Sequence, residues 1–133
     1  MGLSKLFGKK PSEGKVQEFD NILWGTTTPV LLTLGSRNAQ IRVRGSCSVA
    51  VNNPQLFAQM LGDSSRMATQ VKAIIVNKVT DALFEVSLGK TELIDIISSS
   101  DEMADMVKAI AEPAMNGVGL TLKQFEIQAI ERV

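Results

Sequence analysis

The chain has 133 residues, 44% of them hydrophobic and 21% charged, the composition of one globular domain with room for a single core. Its 14 basic and 14 acidic side chains cancel, which removes the electrostatic footprint of a nucleic-acid partner. Histidine is absent, so the commonest general base and metal ligand is missing, and a single cysteine, Cys47, excludes an internal disulfide.

No apolar run approaches the roughly 20 residues that span a bilayer, and no signal-peptide core opens the chain. The expected location is the cytoplasm, at the inner face of the membrane if the N-terminus touches it. Residues 1–18 are expected to form a flexible basic segment ahead of a domain over residues 19–133. Leu3, Leu6 and Phe7 stand among Lys5, Lys9 and Lys10, a candidate contact with an anionic membrane. The plainer alternative is a frayed terminus too short for a stable helix. Gly2 is no myristoylation site, because Leu6 stands where that motif needs Ser or Thr.

From Phe19 the pattern is extended. Ile22-Leu23-Trp24, the β-branched Thr26–Thr28 and the run Val30–Leu34 predict two short strands, with Pro29 marking an edge or a break between them. Gly35-Ser36-Arg37-Asn38 has turn chemistry and predicts an antiparallel hairpin into Ile41–Val51. There Ile41, Val43, Gly45, Cys47, Val49 and Val51 alternate with Arg42, Arg44, Ser46, Ser48 and Ala50, a strand with one buried face. Cys47 falls on the apolar phase and reads as a small buried hydrophobe. Arg42 and Arg44 fall on the solvent face; a basic binding stripe is the alternative.

Asn53 as N-cap and Pro54 at the first helical position predict a short helix through Leu56, Phe57, Met60 and Leu61, stopped by Gly62. Met67, Val71, Ile74, Ile75, Val79, Leu83 and Val86 recur at steps of three and four, predicting a long core helix that ends before Gly89. Glu92–Ile97 adds one or two turns. Ser99 with Glu102 reads as a capping box, and Asp101 and Asp105 suit the first turn of the helix they open. That helix presents Met103, Met106, Val107, Ile110 and Ala114. Pro113 is expected to kink or end it before Asn116-Gly117 closes it. Val118–Val133 is extended, with a change of phase that predicts a bulge or bend near Lys123-Gln124.

No reactive constellation emerges. Gly89-Lys90-Thr91 imitates the end of a phosphate-binding loop, but Phe84 stands where its upstream glycine belongs and a helix precedes it where a strand is needed. Ser87 and Lys90 match a nucleophile pair whose companion motifs are missing. Asp101, Glu102 and Asp105 are better explained as helix N-terminal charge than as cation ligands, and Met103, Met106 and Met115 as core filling than as a soft-metal site. No catalytic, cofactor-binding or metal-ligating residue is therefore assigned.

Taken together, Phe19, Trp24-Gly25-Thr26 and Pro29, the alternating strand, Asn53-Pro54-Gln55-Leu56-Phe57, the two helices and the closing Asn116–Ile127 stretch resemble the SPFH family, also called band 7 or prohibitin-homology domains, and within it a bacterial branch described as virion-core-protein-like. The resemblance covers residues 19–133. It implies an α+β fold, a small curved antiparallel sheet with a long helix and shorter helices packed on it. It also implies membrane association, self-association, and the organising or regulating of membrane proteins, often proteases. Members of the family generally begin with further strands and continue into a coiled coil, so this chain reads as an excised or shortened version. The sheet edge those strands would cover, at Ile22, Trp24, Thr26, Val30 and Leu32, is the candidate interface. The functional expectation is a scaffold or interaction domain without catalysis or cofactor; the alternatives are a soluble adaptor with no lipid contact, or a small ligand-binding or enzymatic domain built around convergent polar groups.

Overall fold

The computed structural model describes residues 17–133. The candidate membrane contacts Leu3, Lys5, Leu6, Phe7, Lys9 and Lys10 lie outside the described residues.

The long alternating strand is the spine. This strand, β3 (Arg37–Val51), follows β1 (Glu18–Gly25) and β2 (Val30–Leu34), and β4 (Leu120–Arg132) ends the described fold. Every pairing is antiparallel. Ile41 is opposite both Val30 and Arg132, and Gly45 is opposite both Trp24 and Ile127. β1 and β2 therefore lie end to end along one side of β3, with β4 along the other. Pro29 falls in the break between β1 and β2, as its missing N–H predicts.

The turn from β2 to β3 is tighter than the sequence suggests. Leu34 pairs with Arg37 and Thr33 with Asn38, leaving Gly35 and Ser36 as the whole loop. Gly35 has φ of +64°, the conformation that the first residue of a type II′ hairpin requires.

Ile41, Val43, Cys47, Val49 and Val51 are buried while Arg42 and Arg44 are exposed, so the period-two reading fixes the register of β3. Ser48 and Ala50 are buried as well. Both are short side chains on a strand paired on its two sides, Ala50 between Glu18 and Thr121, so longer neighbours shade them whichever face they occupy.

The bend predicted near Lys123-Gln124 is a bulge: Ser48 pairs with Gln124 and Val49 with Leu122, leaving Lys123 unopposed. A second bulge, absent from the sequence reading, leaves Gln128 unopposed between Ile127 and Ala129. Each extra residue flips the strand, which explains why Leu120, Phe125 and Ile130 are all buried despite their mismatched phases.

Helices supply the opposing layer, chiefly the second and fourth of the four described. α1 (Pro54–Met60) is capped by the Asn53 side chain, which accepts the Leu56 N–H at 3.1 Å. α2 (Ser64–Ser87) is capped by Asp63, which accepts the Arg66 N–H at 2.8 Å. It buries Met67, Val71, Ile75, Val79, Leu83 and Val86 against β1 and β2. After the short α3 (Leu93–Ile97), α4 (Ser100–Asn116) packs on α2 and β4. Its buried stripe is Met103, Val107, Ala111 and Met115, whereas Ile110 is exposed.

Two local expectations give way. Ser99 forms no capping box; its hydroxyl donates to the Asp95 carbonyl at 3.0 Å, because Ser99 still belongs to the turn that finishes α3. Pro113 does not end α4, which runs on to Asn116. The buried Ala111 and Met115 on either side hold the helix against its neighbours, and only one hydrogen bond is forfeited.

Candidate functional site

In a two-residue hairpin the closing pair exchanges both backbone hydrogen bonds, and the pairs beyond it alternate. With Leu34 opposite Arg37, Leu32 and Val30 direct their N–H and C=O toward β3, while Leu31 and Thr33 direct theirs away. The Thr26 N–H donates to the Val43 carbonyl at 3.0 Å, which sets the same phase on the β1 side: Ile22, Trp24 and Thr26 face β3, and Leu23 faces the open edge.

This corrects which residues the edge presents. Ile22, Trp24, Thr26, Val30 and Leu32 are all buried. Their side chains fill the core beneath α2, and the Thr26 hydroxyl accepts the Val43 N–H at 3.1 Å. The edge instead offers the alternate residues, with Leu23 59% and Leu31 57% exposed. An apolar residue in an edge strand reads alike whether it serves core or partner. Only the pairing phase to β3 separates the two sets.

Beside β2, Phe84 in the last turn of α2 and Leu88 just after the helix are exposed, and a groove of about 510 Å³ runs between them and the strand. A second groove, of about 880 Å³, lies where the start of β1 meets α1, lined by Glu18, Val51, Pro54, Phe57 and Lys123. Phe57 stacks there on Phe19, ring centroids 6.1 Å apart.

The reactive candidates are spoken for. Burial pushes the Cys47 thiol up to about 11, so at neutral pH it carries no thiolate. The Ser87 hydroxyl donates to the Phe84 carbonyl at 2.9 Å and is tied to its own helix rather than to Lys90. Asp101 and Glu102 occupy the first turn of α4. Among the described residues no cluster of metal-ligating side chains exists, and no helix is long and apolar enough to cross a membrane.

An antiparallel sheet with helices layered on one face and an open edge at β1 and β2 defines an α+β domain. Residues 14–132 match the model of the SPFH domain-Band 7 family, and the chain belongs to that family. No curated protein matches it.

Proposed function

We propose that this domain is a membrane-associated scaffold of the SPFH type, which self-associates and gathers or regulates membrane-protein clients, proteases among them. The observation that carries the reading is the open edge of β1 with Leu23 exposed on it, in a family domain whose Ser87 hydroxyl is tied to its own helix and whose Cys47 thiol is buried. Exposed apolar side chains beside unpaired strand groups are a ready template for a second chain. The location that fits is the cytoplasmic face of a membrane, reached through Leu3, Leu6 and Phe7 with Lys5, Lys9 and Lys10 over anionic lipid. Within the family, the bacterial virion-core-protein-like branch is the placement we favour.

Two measurements test this. Light scattering on the parent and on a Leu23→Lys variant should find the parent larger than one chain and the folded variant reduced in size; a parent that stays monomeric at high concentration refutes self-association. Co-sedimentation with anionic vesicles should be lost when Leu3, Leu6 and Phe7 become Ser. Absence of binding by the parent itself would leave an adaptor that never meets lipid.

A further inference from the structure

We propose that the groove between β2 and the C-terminal end of α2 is a docking site for an extended peptide of a client protein, apolar at alternate positions and acidic at the end next to Lys90. The proposal rests on the interaction-domain reading above and is independent of self-association.

Leu31, Thr33 and Gly35 form the series whose backbone groups point away from β3. The last of them is already satisfied: the Gly35 N–H donates to the Lys90 carbonyl at 3.2 Å. The loop after α2 thus acts as a partner strand for a single residue and then leaves the edge. Among the described residues, the Leu31 and Thr33 amides have no backbone partner beyond β3's side of the sheet. What lies beside them is the groove of about 510 Å³, walled by Phe84 and Leu88 and closed at the hairpin end by Lys90.

Phe84 and Leu88 are one helical turn apart and 47% and 70% exposed, while Leu83 and Val86 supply the core contacts of that turn. Core packing therefore does not explain them. A strand laid along β2 would exchange hydrogen bonds with Leu31 and Thr33, and its alternate side chains would cover Phe84 and Leu88.

The dimensions select the occupant. A stable interface between folded proteins engages roughly 20–30 residues on each side. Two free backbone positions and two exposed side chains on the wall are far short of that, so a short segment fits and the face of a second copy does not. Charge selects its chemistry. Lys90 is the one charged residue among those described that line the groove, and the Ser87 hydroxyl is occupied by the Phe84 carbonyl, so a carboxylate at the Lys90 end is matched and a basic residue there is opposed.

The experiment is selection of a phage-displayed random dodecapeptide library on the full chain, followed by fluorescence anisotropy with the enriched peptides. Thr33→Pro removes an N–H that faces outward and leaves the β3 ladder intact, and Thr33→Ala controls for the side chain. Enriched peptides should be apolar at every second position with an acidic residue at one end. They should bind Thr33→Ala like the parent and lose roughly tenfold or more in Thr33→Pro and in Phe84→Glu. Lys90→Glu should weaken acidic peptides selectively. Circular dichroism checks the fold, and Phe84→Glu decides the matter if Thr33→Pro does not fold. Failure to enrich any sequence over a blank surface overturns the proposal, as do peptides that bind both variants unchanged. Light scattering on the same samples separates the two readings: a chain that self-associates yet captures no peptide sinks this proposal alone.

Discussion

Trp24 lies parallel to Phe125, ring centroids 5.2 Å apart and planes 9° from coplanar, over the bare backbone of Gly45. A Cβ at position 45 would collide with the Glu126 carbonyl and stand 2.6 Å from the Trp24 ring. The obstacle on one side is backbone held in the β3–β4 ladder, which cannot move aside as a flexible side chain would. Gly45→Ala should therefore destabilise the domain by about 3 kcal/mol, in the upper range for overpacking. Urea unfolding followed through Trp24, the only tryptophan, measures it directly.

The indole N–H of Trp24 is buried without a hydrogen-bond partner. Replacing the ring by Phe removes volume but also removes that unsatisfied donor, so the two effects oppose. Trp24→Phe should cost about 1 kcal/mol, against roughly 3–5 kcal/mol for Trp24→Ala. Thermal melts followed by circular dichroism compare them, and a Trp24→Phe loss well above that figure would mean that the donor is satisfied in solution.

Cys47 sets a pH dependence. Its folded value of about 11 exceeds the ordinary value of 9.0 because burial disfavours the thiolate. The unfolded chain then releases its proton first, so the stability tied to this group is whole below pH 9 and falls progressively as pH rises toward 11. A Cys47→Ala variant should lose that part of the alkaline decline. In the folded parent at pH 8, disulfide reagents should label Cys47 only as fast as the domain opens.

Pro113 is exposed inside α4, and its ring removes the hydrogen bond an N–H would make to Ala109. Pro113→Ala restores the donor without disturbing packing, at the expense of a freer unfolded chain. The expected net result is a gain of about 1–2 kcal/mol, read as a raised Tm.

Much of this architecture was readable from residue order. The alternation of Ile41–Val51, the stripe from Met67 to Val86 and the break at Pro29 each reflect a single dominant force, burial of one face or loss of one donor. The family's fold followed from the same segments. The candidate site was harder. Ile22, Trp24, Val30 and Leu32 are as apolar as an interface would need, but their inward orientation depends on the phase of pairing with β3, a long-range fact. Leu23 and Leu31 were visible only as the remainder of the alternation. Phe84 and Leu88 lie just off the core stripe of α2, and their meeting with β2 across the hairpin could be placed only by the tertiary contact of Gly35 with Lys90. Ser99 and Pro113 carry strong local signals that neighbouring helical turns and packing override.

Because one strand serves as template for the strands on both its sides, the two halves of the sheet must assemble on different clocks. β3 meets β2 across a two-residue turn, but it meets β4 only after all four helices have been threaded between them. Closing the short loop costs little entropy, whereas the long one must be closed before its contacts repay it. The hairpin can zip early on a growing chain, and α2 can settle against it. The edge that waits for β4 stays bare until last, and any delay there leaves the backbone groups of Arg42, Arg44, Ser46 and Ser48 open to pairing with the wrong strand.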